Sequence, residues 1–262
     1  MGRVPRRLDG RVVMLGATAL AAWLALAVGG SRDGTLTAIC SAATAWAASP
    51  PVSFDPALML NSPARLVAGW ALMVTAMMSP LIIAPLRHVY DRSFARRRGR
   101  AAALFLTGYG TAWMIAGLGL QALVLAVRWV APAPLAVLGL AAGVALLWQI
   151  SPAKQWCLNR CHRRPHLAAF GAVADRDVFG FGLTNGAFCA GACWALMLLP
   201  LLAERGHFPA MIAVALFLFA ERLERPAPLL WRWRGPGKAL RIAIAQTRLH
   251  MTSGSGIGEV SR

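Results

Sequence analysis

Apolar positions in this chain fall in long runs, separated by short breaks rich in arginine. The runs cover residues 12–28, 66–86, 101–127, 135–150, 179–203 and 208–220. A helix needs about 20 residues to cross the hydrocarbon of a bilayer. Backbone groups there have no water to bond, so such runs fold as helices. The pattern predicts an all-α polytopic membrane bundle of about six transmembrane helices. The stretch 35–48 is mildly apolar but short, and Pro50-Pro51 and Asp55-Pro56 turn the chain soon after it. Residues 29–65 therefore read as an external loop carrying a short interfacial helix. Pro80 falls inside the second run, where it removes a backbone hydrogen bond and favours a kink. Ser151 to Val178 reads as a polar connecting segment.

Composition and charge sharpen this picture. The chain has 262 residues, of which 58% are hydrophobic and 14% charged. Soluble domains carry about a quarter charged residues, so the class is integral membrane protein. The net charge of +17 comes from 27 Lys and Arg against 10 Asp and Glu. With both termini placed in the cytoplasm, 23 of those cations lie on the cytoplasmic side. Only four, Arg32, Arg65, Arg128 and Arg205, lie outside. This is the positive-inside asymmetry of a multi-pass protein of the cell's inner (plasma) membrane. Basic residues that flank apolar spans, without an aromatic–basic surface motif, argue against nucleic-acid binding. The start of the chain, a basic stretch and then an apolar run, has the look of a signal peptide. Ala45-Trp46-Ala47 lies too far from that run for cleavage, which favours a retained anchor helix. The expected organisation is one integral membrane domain over 1–262, with a core at about 66–221 and basic tails at 1–11 and 222–262.

Sulfur carries the candidate chemistry. The fifth run holds Cys189, Cys193 and Met197, each four residues from the next. Positions four apart share a helix face, so they form a sulfur stripe. Gly182, Gly186 and Gly191 leave room for another backbone to come close. Cys157 and Cys161 repeat the spacing in the polar segment, while Cys40 stands alone in the external loop. In the second run Trp70, Met73 and Met77 fall on one face, with Met78 beside them. Helical i, i+4 thiols sit about 5–6 Å apart at Cβ, too far for a good disulfide but suited to a metal clamp. A disulfide between the two pairs stays open. Soft thiolate and thioether ligands select Cu(I), Zn(II) or an iron–sulfur cluster. Dense methionine favours Cu(I) over zinc, and an iron–sulfur cluster usually takes its thiolates from irregular loops. Two thiolates with Cu(I) leave −1, less costly to bury than the −2 of four thiolates with Zn(II). Lys154 or Arg160 is placed to offset it. His162 and His166 form a further i, i+4 pair among arginines, read as a solvated face with a ligand or entry role as the alternative. Glu221 ends the sixth run and reads as an interfacial charge, with a supporting role at the metal site as the alternative. Gly117-Leu118-Gly119 lies within a span and follows no strand, so it is not a phosphate loop. No hydrolase, kinase or dinucleotide motif is present, and no enzymatic activity is expected.

Three blocks together resemble a known family. Trp70, Met73, Ala76-Met77-Met78 and Pro80 fit a W-x-x-M-x-x-A-M-M-x-P signature. Gln149, Pro152, Lys154, Cys157 and Cys161 form the second block. Gly186, Cys189, Gly191, Cys193, Trp194 and Met197 form the third. In this order they resemble the DUF2182 family of predicted metal-binding integral membrane proteins. That resemblance implies a copper-chaperone-like protein, associated with tyrosinase-type copper oxidases. Two departures stand out: Ala192 replaces a frequent extra cysteine, and Trp148 replaces a frequent tyrosine. Glu221-Arg222 keeps the acid–base ending of the sixth span. The leading expectation is a Cu(I) chaperone supplying a copper enzyme, its partner a copper-enzyme client or a soluble metal-binding protein. Its expected ligands are Cys189, Cys193 and Met197, with Met73, Met77 and Met78 across the interface. Cys157 and Cys161 form an acquisition or transfer site, and Lys154, His162, Glu221, Trp70 and Trp194 support them. The rivals are a metal permease, a membrane thiol oxidoreductase and a structural subunit with packed cysteines.

Overall fold

The computed structural model describes residues 10–32, 63–130, 134–203, 206–233 and positions 237, 241, 242, 244 and 245. Among these residues seven α-helices occur in chain order: α1 (Gly10–Arg32), α2 (Pro63–Asp91), α3 (Arg98–Val130), α4 (Pro134–Ile150), α5 (Pro152–Cys161), α6 (Gly171–Leu202) and α7 (His207–Arg222). A short 3₁₀ turn, Ala95–Arg97, leads into α3. No strand occurs among the described residues. Cys40 and the interfacial helix expected at 35–48 lie outside them.

Membrane-spanning capacity is narrower than the six runs suggest. Among the described residues, three helices are long and apolar enough to cross: Val67–Asp91, Ala95–Val124 and Gly171–Leu202. A fourth arises if α4 and α5 count as one span bent by 65°. The apolar part of α1, Val13–Val28, is shorter, and α7 has 16 residues. The bend corrects the reading of Ser151–Val178 as a purely polar connection. Pro152 has no N–H and disfavours helical backbone at Ser151, which turns out of α4. Ser151 then caps the next helix, its hydroxyl accepting from Lys154 N at 3.1 Å. Pro at N1 suits a helix start, where the missing donor is not needed. α5 therefore begins at once, and it buries Lys154, Gln155, Cys157, Leu158 and Cys161. α2 runs on through Pro80 and Pro85.

α6 is the central element, packed against α3, α4, α5 and α7. Its closest partner is α3, and small residues make that approach possible. A Cβ on Gly182 would lie 2.2 Å from the Phe105 carbonyl oxygen, and one on Gly186 would lie 2.8 Å from that of Tyr109. Gly108 faces back, its Cβ position 2.4 Å from the Phe179 carbonyl oxygen. Lipid chains are as apolar as leucine, so helices in a bilayer gain from such close backbone packing. α2 packs on α1, α3 and α7. Trp70 joins it to α3, donating from Nε1 to the Trp113 carbonyl at 2.9 Å. At one end of α6, Asp175 pairs with Arg97 at 2.5 Å and Arg100 at 2.7 Å.

Gly182→Ala places a methyl where backbone already stands, and overpacking of this kind costs about 1–3 kcal/mol. The expected result is a lower melting temperature in detergent, while Gly180→Ala, whose added Cβ meets nothing within 4 Å, melts like the parent. Equal melting of the two variants would contradict the packing described.

Candidate metal centre

Four cysteines lie on α5 and α6, which pack against each other, and Cys161, Cys189 and Cys193 share one buried cluster. On α6, Asn185, Cys189, Cys193 and Met197 succeed one another at the helical spacing, and all four are buried. Cys193 Sγ hydrogen-bonds back to the Cys189 carbonyl at 3.1 Å. On α5, Cys161 lies within electrostatic reach of Cys189 and Cys157, and Cys193 lies within reach of Cys189 and Cys161. Cys157 reaches α6 at a glycine: its Sγ stands 2.9 Å from where a Cβ on Gly191 would be. The two pairs, 32 residues apart from Cys157 to Cys189, thus share one neighbourhood. All four thiols are free and buried. Among the described residues no three Cys, His, Asp or Glu side chains close into a ready-made ion cage. The arrangement suits an ion content with two thiolates, or with two thiolates and a thioether.

Thioethers are close by. Met73, Met77, Met78 and Met197 belong to the same buried apolar cluster as Cys161, Cys189 and Cys193, together with Trp70 and Tyr109. Met211 of α7 joins them. It is not among the methionines expected from spacing, because a lone Met in an apolar helix is a weak signal. Trp194 is half-buried and meets Trp148 edge-on at 5.2 Å. Trp148 in turn donates to the Gly191 carbonyl at 3.1 Å, so both tryptophans brace the cysteine-bearing turn of α6.

The charged neighbours depart from expectation. Glu221 is not an interfacial charge: it is 5% exposed, and Lys154 is 1% exposed. Lys154 Nζ donates to both Glu221 carboxylate oxygens at 2.8 Å. Gln149 completes the set, accepting from Lys154 Nζ and donating to Glu221. A buried charge is costly unless paired and hydrogen-bonded, and here each is. Lys154 is therefore already neutralised. Arg160 is engaged elsewhere, stacked 4.9 Å from the Trp156 ring and 5.6 Å from Phe188. Among the described residues, Arg222 lies within electrostatic reach of Cys189, Cys161 and Tyr109, and Lys154 within reach of Cys193. Tyr109 donates its hydroxyl to Cys189 Sγ at 3.3 Å. His162 is half-buried, not solvated. Its Nδ1 lies 2.9 Å from the Leu158 carbonyl and its Nε2 3.3 Å from that of Arg222. His166 is exposed.

Residues 223–233 then fold back over α5. Asn159 Nδ2 donates to the Ala227 carbonyl at 2.8 Å, Ala227 N donates to Asn159 Oδ1 at 3.2 Å, and Arg232 N donates to the Ile150 carbonyl at 3.3 Å. A cleft lined by His162, Glu221, Glu224, Arg225 and Trp233 opens beside this strap.

The sequence profile of PpoB2, described as a copper chaperone, matches residues 67–243. That range contains all four described cysteines, the buried methionines, and Lys154, Glu221 and Arg222. No match was found among curated proteins or among solved structures.

Removing one partner of the Lys154–Glu221 pair strands a buried charge, which costs about 3–5 kcal/mol. Lys154→Met and Glu221→Met each lower unfolding stability by that order, and the double variant loses less than the sum. Unfolding in mixed detergent micelles measures the cycle, and strict additivity would mean the two charges do not depend on each other.

Proposed function

We propose that this chain, which belongs to the PpoB2 family of copper chaperones, binds Cu(I) within the membrane and hands it to a copper enzyme. The copper is cargo, and the role is binding and transfer, not catalysis. One observation carries the reading: buried free thiols from α5 and α6 meet in a cluster that also holds buried methionines. Thiolate and thioether sulfur is the donor set that Cu(I) takes in preference to harder ions. The proposed ligands are Cys189 and Cys193 of α6, helped by Met197, Met73, Met77 and Met78. Cys161, in the same cluster, and Cys157, packed beside it against Gly191, are the sulfurs that receive or release the ion. Exchange between two- and three-coordinate sulfur sites moves copper from thiol to thiol without freeing it. Zinc is a poorer fit, because thioethers serve it badly and three strong ligands do not converge among the described residues.

The setting proposed is the inner (plasma) membrane. α2, α3 and α6 span it, α4 with α5 forms a bent fourth crossing, and α1 and α7 complete six. The cation asymmetry of the loops supports cytoplasmic termini. Copper reaches the cluster from the cytoplasmic side, where α5 and the strap lie. A permease would use the same sulfur as a path, and uptake of copper into sealed vesicles without any partner protein separates the two readings.

Purified in detergent and loaded under reducing, anaerobic conditions, the protein is expected to hold about one Cu(I) per chain by elemental mass spectrometry. Cys189→Ser/Cys193→Ser is expected to lose it. Copper content unchanged in that variant would sink the reading.

A further inference from the structure

Among the described residues, the cluster contains sulfur, apolar side chains and one cation with no acid facing it. Two thiols that take up Cu(I) release two protons and leave a group of charge −1. The same two thiolates with a divalent ion are neutral. In a low-dielectric site the residual charge decides the cost, because burying net charge is unfavourable.

The charges around the sulfur therefore decide which ion is held. α3 contributes Tyr109 and no ionic side chain from Ala101 to Val127. α6 contributes none from Val178 to Leu202, its Asp175 being taken by Arg97 and Arg100. α2 carries no ionic side chain between Arg65 and Arg87 and contributes Met73, Met77 and Met78 to the cluster. α5 supplies Lys154, held by Glu221 of α7, so that pair sums to zero. Arg160 stacks over the Trp156 and Phe188 rings, its charge held on their faces. His162 points its ring nitrogens at carbonyls. Arg164 is exposed, and Glu224 and Arg225 line the outer cleft. What remains is Arg222, half-buried and turned to Cys189, Cys161 and Tyr109. Its position is fixed from both sides. Glu221, the residue before it, is clamped to Lys154, and its own carbonyl meets His162.

We propose that Arg222 is the specificity-determining residue of the copper site, matching a two-thiolate cluster to a monovalent soft ion and disfavouring divalent ones. With Cu(I) bound the site sums to zero; with a divalent ion it carries +1. Arg suits the task because it stays charged at any pH the protein meets. This rests on the chaperone reading above, and deepens it by saying how the cargo is chosen.

The test uses the full chain in detergent, anaerobic and reduced, titrated separately with Cu(I), Ag(I) and Cd(II) against a competing chelator. Arg222→Gln is expected to weaken Cu(I) and Ag(I) binding by about tenfold or more, as an uncompensated charge in a poorly solvated site requires. Cd(II) binding holds or tightens, so the preference narrows. Arg222→Lys restores most of it. Arg222→Met serves as a second neutral variant where Arg222→Gln does not fold. Tyr109→Phe, which removes a hydrogen bond but no charge, shifts both ion classes alike. Equal weakening of monovalent and divalent ions in the neutral variants would reduce Arg222 to a packing role and overturn the proposal. Wild-type protein that takes no Cu(I) at all overturns the chaperone function itself, and that arm is read before any variant.

Discussion

The ion pair between Lys154 and Glu221 is the interaction on which the site depends. It joins the start of α5 to the end of α7, 67 residues away, through a contact with almost no solvent. Gln149, at the end of α4, takes the remaining hydrogen bonds. Three helix ends are thereby fixed at one point, and the 65° turn between α4 and α5 is held there. A helix of 10 residues has little stability of its own. The clamp joins the strap bonds at Ala227 and the Trp156–Phe188 contact in holding α5 along α6. Such pairs are weak evidence for stability but good devices for specifying one arrangement among several. Here the arrangement specified is the one that brings two thiol pairs together.

Much of the site was legible because its periodicity is local. Cys189, Cys193 and Met197 sit one helical turn apart, so their common face comes from the spacing alone, as does that of Met73 and Met77. The glycines of α6 were legible too, since only a close neighbour makes Gly182 and Gly186 useful in an apolar helix. The rest was not local. Nothing in the sequence ties Lys154 to Glu221, and each taken singly looks like a charge at a membrane boundary. Arg222 was hidden for the same reason: an arginine after an apolar run is the usual mark of a cytoplasmic end. The polar look of Ser151–Val178 concealed a buried helix, because Gln155, Lys154 and Asn159 spend their polarity on partners inside the protein and on the strap at Ala227. A mean over that segment reports solvent exposure that its individual side chains do not have.

The arrangement also explains how soft chemistry is kept apart from the aqueous phase. The thiols are buried, and tryptophans or phenylalanines flank them: Trp148 and Trp194 on one side, Trp156 and Phe188 on another. Cations are numerous in this chain, but α3 carries none from Ala101 to Val127 and α6 none from Val178 to Leu202. Among the described residues, the cation beside the sulfur that no acid neutralises is Arg222. Hydrophobic cover of this kind strengthens whatever electrostatics remain inside it, so a single guanidinium there has more effect than the many outside.

Gly186 illustrates how far a missing atom can act. Its Cβ position would lie 3.2 Å from the Tyr109 Cα, so the absent methyl decides how near the two backbones run. The phenol of Tyr109 reaches Cys189 only because its own main chain is that close, and Cys189 comes three residues after Gly186 on the same helix. Backbone against backbone has no rotamers to lose and none to wander among. The reach of a hydroxyl to a sulfur atom is in this way inherited from a side chain that is not there, and rigidity at the site begins as emptiness one turn below it.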